Sequence, residues 1–78
     1  MVMEEKIWHL LREINEEIPN EATAELLNDG YIDSFAIVNI VASLEDEFEI
    51  EMEAEDIIPE NFNTISAIAN VVRLRQVN

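Results

Sequence analysis

The sequence predicts an all-α fold: a small four-helix bundle of three principal helices and one short helix, with a long first connection. Three observations carry this. Apolar residues recur at helical spacing in three separate stretches of the chain. A polar, turn-rich segment of roughly fifteen residues separates the first two stretches. The only alternating run, Phe48-Glu-Ile-Glu-Met-Glu-Ala-Glu, has no second strand to pair with, and a lone strand leaves its backbone unsatisfied.

In the first stretch Met3, Ile7, Leu10, Leu11, Ile14 and Ile18 form one apolar stripe, with Glu4, Glu5, Arg12, Glu13 and Glu16 between them. This predicts an amphipathic helix of about four turns over about 3–17. Pro19 ends it, because proline disfavours helical geometry in the residue before it. His9 and Trp8 flank the stripe, and His9 reads as an ordinary surface histidine.

A connection over about 18–33 follows, with room for one helical turn around Ala22 to Leu27. Asn28-Asp29-Gly30 marks a turn, and Gly30, the only glycine, is expected at a positive φ. Leu26, Leu27, Tyr31 and Ile32 are its packing residues. Connections this long in so small a chain are commonly functional.

Ser34 is expected to cap a second helix over about 34–49, since its hydroxyl can accept from first-turn amides. Phe35, Ile37, Val38, Ile40, Val41, Ala42, Leu44 and Phe48 make this helix apolar over most of its circumference, which predicts a central position. Its last turns carry Glu45, Asp46, Glu47 and Glu49, and acids there oppose the helix dipole. Such a pattern is not chosen for helix stability and suits a partner. The alternating run becomes an extended linker laying Ile50 and Met52 on the core. A short helix over about 55–59 precedes Pro59 or ends with it. The last helix, about 64–76, is capped by Asn63 or Thr64, with Phe62 as a hydrophobic staple. Ile65, Ile68, Ala69 and Val72 form its buried stripe, and Arg73 and Arg75 sit at the end that favours cations.

The 78 residues correspond to one small domain, 1–78. The N-terminal residues alternate charged and apolar types, unlike a signal peptide, and no run approaches the ~20 apolar residues of a membrane span. A cytoplasmic protein with no membrane insertion is expected. Eighteen acids face four bases, for a net charge of −14, and no Lys or Arg lies between Glu13 and Val72. Nucleic acid is therefore excluded as a partner, a basic protein partner would be steered in quickly, and self-repulsion predicts a monomer.

No catalytic template fits. A serine triad needs a histidine base held by a carboxylate, and nothing ties His9, the one histidine, to Ser34 or Ser66. One glycine cannot build a phosphate loop. A calcium loop with Gly30 at its sixth position would place Leu27 and Ala36 where oxygen ligands are required. With no cysteine in the chain, any thiol chemistry must come from a prosthetic group. The chain is expected to be no enzyme and to hold no metal.

Asp29-Gly30-Tyr31-Ile32-Asp33-Ser34-Phe35 resembles the attachment motif of acyl carrier proteins. The resemblance continues through Leu44-Glu45-Asp46-Glu47-Phe48-Glu49-Ile50 and Ile58-Pro59-Glu60-Asn61-Phe62-Asn63-Thr64, and so covers nearly the whole chain. It implies a four-helix bundle and a 4′-phosphopantetheine arm, taken by Ser34 from coenzyme A through a separate magnesium-using phosphopantetheinyl transferase that reads Asp33. Acyl or aminoacyl groups would travel on that arm as thioesters. Phe35 and Ile37 would offer apolar contact to partners, and Glu45, Asp46, Glu47 and Glu49 an acidic docking face. Ala36 and Asn39 stand where fatty-acid carriers typically hold acids. That departure points to the stand-alone carriers, among them the aminoacyl and D-alanyl type, loaded by an acyl- or aminoacyl-adenylating ligase and unloaded by a downstream acyltransferase or synthase. The competing reading is a non-covalent acidic helical module that binds a basic partner.

Overall fold

The computed structural model describes residues 3–76. Three α-helices, α1 (Met3–Arg12), α2 (Ser34–Phe48) and α3 (Ile65–Gln76), are joined by the long first connection and by a segment holding two 3₁₀ turns, Ala54–Asp56 and Pro59–Asn61. There is no strand among the described residues, so the fold is all-α, as expected. In place of one short helix over about 55–59 there are two separate turns, because Ile57 leaves helical geometry between them and Pro59 opens the second.

α1 is shorter than its apolar stripe. The expected helix over about 3–17 stops at Arg12, well before Pro19. The amides of Glu13 and Ile14 bond three residues back, to Leu10 and Leu11, the tightening that closes a last turn. Asn15 then competes with the helix: its Oδ1 accepts from the Glu17 amide at 3.0 Å, and its Nδ2 donates to the Tyr31 carbonyl at 3.0 Å. Ile14 is consequently 38% exposed, whereas Ile18 still reaches the core. Trp8 fixes that return, its Nε1 donating to the Ile18 carbonyl at 2.9 Å. Arg12 lies over the Trp8 ring, 5.0 Å from its centroid, a cation–π contact that suits a half-exposed indole.

Around Ala22 to Leu27 the chain makes turns and no helix. Gly30 adopts φ 81°, as its place in the turn requires. α2 lies centrally, with Ile37, Ile40 and Leu44 buried. It ends on Glu49 in the left-handed region, φ 54°, a conformation costly for a residue with a Cβ. The linker beyond is extended. It buries Met52 and half-buries Ile50, and the Met52 amide donates to Glu45 Oε2 at 2.9 Å.

Thr64 caps α3, its Oγ1 accepting from the Ala67 amide at 3.0 Å. Phe62 is fully buried among Ile7, Leu11, Leu26, Leu44, Ile65 and the other core residues. Asn63 caps nothing and serves the first connection instead. Both arginines of α3 are paired: Arg73 with Glu4 at 3.2 Å, and Arg75 with Asp56 at 2.6 and 2.8 Å. The second pair is bidentate and largely shielded from water. It ties the first 3₁₀ turn to the end of α3, and Asp56 also accepts from the Glu53 amide at 2.9 Å. The Arg75 hydrogen bonds hold the Asp56 carboxyl below its usual range, against the opposing effect of burial, and Asp56 in turn raises Arg75.

Candidate functional site

The first connection is tied at both ends of its path, and this fixes where α2 begins. Midway along it the Ser66 amide donates to the Ala22 carbonyl at 3.0 Å. Next, the Leu26 amide donates to the Asn63 carbonyl at 2.6 Å. The Asn63 side chain adds a clamp, its Oδ1 accepting from the Leu27 and Asn28 amides at 3.0 and 3.3 Å. Ile32 then turns inward, buried, with its amide on the Leu26 carbonyl at 3.1 Å. Leu26 and Ile32 thus anchor the loop in the core, and Asp33 and Ser34 emerge on the surface directly after the second anchor.

Asp33, not Ser34, caps α2. Its backbone is extended and its Oδ1 accepts from the Ala36 amide at 2.8 Å. Ser34 is the first helical residue and is exposed. The shift of one position matters chemically. A serine acting as cap would have its oxygen engaged with the helix, whereas Ser34 is relieved of that task by the carboxylate before it. Its side chain stands where the unpaired amides of the first turn favour an anion. The first turn of α2 carries no acid, so nothing within the helix itself opposes a negative group there.

Along α2 the residues expected to meet partners divide. Phe35 is 84% exposed, a large apolar ring in water one residue from Ser34. Ile37 is only 6% exposed and belongs to the core, which corrects the expectation that it is a contact residue. Val38, 67% exposed and three residues after Phe35, occupies the surface instead, since positions i and i+3 share a helix face. Asp46, Glu47 and Glu49 are exposed, whereas Glu45 is half-buried and committed to the Met52 amide. Eight residues separate Val38 from Asp46, about 12 Å along the axis.

The sequence reading did not place Val38 on the surface, and it gave Asn63 only as an alternative cap of α3. The spacing from Phe35 pointed to Val38. Asn63 carried no comparable signal, because its task lies across the fold. Among the described residues no group of three His, Cys, Asp or Glu could hold a metal ion, and no helix is long and apolar enough to cross a membrane.

The phosphopantetheine attachment site family matches residues 9–72 of the 78-residue chain, a span containing Ser34 and all of α2. The chain belongs to the phosphopantetheine-binding family of acyl carrier proteins. It is a carrier and not an enzyme: the family bears 4′-phosphopantetheine covalently, and its members interact with phosphopantetheinyl transferases and biosynthetic enzymes. Comparison with curated proteins and with solved structures gave no match. An exposed serine at the start of a fixed helix fits the group. The arm, once attached, supplies the carrier with the thiol that its own sequence lacks.

Proposed function

We propose that Ser34 is the attachment residue and that the carrier shuttles acyl or aminoacyl groups as thioesters between partner enzymes in the cytoplasm. The exposed placement of Ser34 at the first position of α2, with the cap supplied by Asp33, is the observation that carries this reading. In the transfer, the Ser34 hydroxyl oxygen attacks the phosphorus that bears the pantetheine chain of coenzyme A. The P–O bond to adenosine 3′,5′-bisphosphate breaks, that nucleotide leaves, and the hydroxyl proton passes to the transferase. The second oxygen of the Asp33 carboxylate is the group such a transferase can read.

Docking follows the same helix. Phe35 and Val38 form an apolar contact beside the arm, and Asp46, Glu47 and Glu49 attract basic groups on the partner about 12 Å further on. The apolar end sets orientation, and the acidic end raises the encounter rate more than the final affinity. The absence of acids from the first turn, with Ala36 and Asn39 where fatty-acid carriers hold them, supports loading by an adenylating ligase rather than service to a fatty-acid synthase.

Incubation with coenzyme A, magnesium and a promiscuous phosphopantetheinyl transferase, followed by intact-mass measurement, tests the assignment. One phosphopantetheine is expected on the wild-type chain and none on Ser34→Ala. An unchanged mass, or addition that survives the substitution, refutes it.

A further inference from the structure

Three consecutive amides of the first connection converge on one residue just before α3. Leu26 donates to the Asn63 carbonyl at 2.6 Å, and Leu27 and Asn28 donate to its Oδ1 at 3.0 and 3.3 Å. The same loop residues pass the restraint on. The Leu27 carbonyl accepts from the Gly30 amide at 3.2 Å, and the Leu26 carbonyl from the Ile32 amide at 3.1 Å. Between these two, the Tyr31 carbonyl accepts from Asn15 Nδ2 at 3.0 Å. Asp33 and Ser34 follow Ile32 directly.

Folding alone accounts poorly for the Asn63 side chain. α3 does not need it, since Thr64 supplies the cap. Leu26 and Ile32, both buried, secure the loop in the core. Leu27 and Asn63 are only half-buried and Asn28 is exposed, so water can serve these amides at little cost. What the Asn63 oxygen adds is a single backbone conformation ahead of Ser34. Gly30 precedes Ser34 by four residues, so it lies within about 14 Å of it however the chain runs. A specific interface covers about 800 Å² per partner, a disc of about 16 Å radius. An enzyme that docks around Ser34 therefore covers the stretch from Gly30 to Asp33.

We propose that Asn63 is a positioning residue for the modification of Ser34: it presents that stretch to the transferase already ordered. The inference rests on Ser34 bearing the arm and deepens that reading. Ordering a loop at the moment of association subtracts from affinity, so the clamp acts on KM for the carrier. Once the complex has formed, the Ser34 hydroxyl is presented by α2 and the Asp33 cap, with which Asn63 shares no hydrogen bond. The turnover of the bound carrier is then little changed.

The test follows transfer from coenzyme A to the full chain by a promiscuous phosphopantetheinyl transferase with magnesium, over a range of carrier concentrations. Circular dichroism verifies that each variant is folded at the assay temperature. Asn63→Ala should raise KM about two- to tenfold, the net effect of one hydrogen bond, with kcat within about twofold of wild type. Asn63→Asp keeps an acceptor oxygen at the same reach and should restore the wild-type KM. Asn63→Gln displaces the oxygen by one methylene, so it should raise KM even if Asn63→Ala does not fold. Amide exchange at Gly30 and Ile32 should quicken in the Ala and Gln variants and not in Asp. Folded Ala or Gln variants with wild-type KM, an Asp variant no better than these, or a loss confined to kcat overturns the positioning role and leaves Ser34 as the attachment residue. A wild-type chain that gains no arm on Ser34 overturns the attachment reading, and the positioning role with it.

Discussion

Replacing Asp33 separates the cap this side chain forms from the recognition by a transferase proposed for it. In Asp33→Ala the Ala36 amide loses its 2.8 Å acceptor, and the start of α2 loses a negative charge. Loss of an N-cap costs about 0.5–2 kcal/mol, and a charge favourable to the helix dipole adds about 0.3–1 kcal/mol at the surface. For a domain of this length each kcal/mol lowers the melting temperature by about 4–8 °C. Together these are about 0.8–3 kcal/mol, so Asp33→Ala is expected to melt roughly 3–24 °C below wild type. Asn is as good a cap as Asp, so Asp33→Asn keeps the hydrogen bond and loses only the charge, a fall of at most about 8 °C. Thermal unfolding followed by far-ultraviolet circular dichroism measures the order: wild type, then Asn, then Ala. Transferase kinetics on the same proteins, below their melting temperatures, should show both variants slowed alike, because both lack the carboxylate. If Asp33→Asn melts with Asp33→Ala, the cap contributes nothing and the hydroxyl of Ser34 is not relieved of that duty. If Asp33→Asn is modified as fast as wild type, the transferase does not read the charge.

Four further outcomes follow from the geometry. Asp56 has a folded pKa below its ordinary 3.8, chiefly through Arg75, so its contribution is full above that value and lost as pH falls through the lowered one. Asp56→Asn should lower stability at neutral pH and flatten the decline below about pH 4, as read by melting temperature against pH. Leu26 is fully buried and anchors the loop; Leu26→Ala should cost about 2–5 kcal/mol in urea unfolding, a large share of what so small a domain possesses. Gly30 has φ 81° and open space where a Cβ would stand, so Gly30→Ala should cost only the backbone penalty, about 1–2 kcal/mol, and Gly30→Asn less by the same assay. Phe35→Ala should change stability by no more than about 0.5 kcal/mol while weakening capture by the loading ligase, measured by loading rate against ligase concentration.

What could be read from sequence follows the range of the interactions concerned. Helical spacing, the turn at Gly30 and the outward serine after a long connection depend on neighbours a few residues apart, and all three are present in the structure. The end of α1 was not legible. Its apolar stripe runs on to Ile18, but Asn15 bonds to Tyr31 sixteen residues later, and a periodicity has no means of registering that. Asp33 and Ser34 are both good caps, and the expectation of Ser34 fell one position too far along the chain. The Asn63 clamp and the Asp56–Arg75 pair join segments distant in the chain. Ile37 and Val38 show the same limit from another side: both are apolar and adjacent, and only the packing of α2 against the rest of the molecule decides which one faces water.

Two features of α2 are not explained by folding. Phe35 and Val38 leave apolar surface in water while the same helix buries Ile37, Ile40 and Leu44, and a single polar exchange at either position would leave the core intact. At the other end, Asp46, Glu47 and Glu49 stand exposed where the helix dipole disfavours acids, and lysines there would stabilise the helix. Each feature alone has an ordinary explanation, since scattered apolar residues and acidic faces are common on protein surfaces. Together they lie along the helix that Ser34 opens and its C-cap, the apolar pair beside the proposed attachment point and the first of the acids about 12 Å beyond that pair. A partner that must find the arm's root, and approach it in one orientation, needs a contact at the root and a charge at a fixed distance from it. The costs borne by α2 are those that the proposed docking would impose.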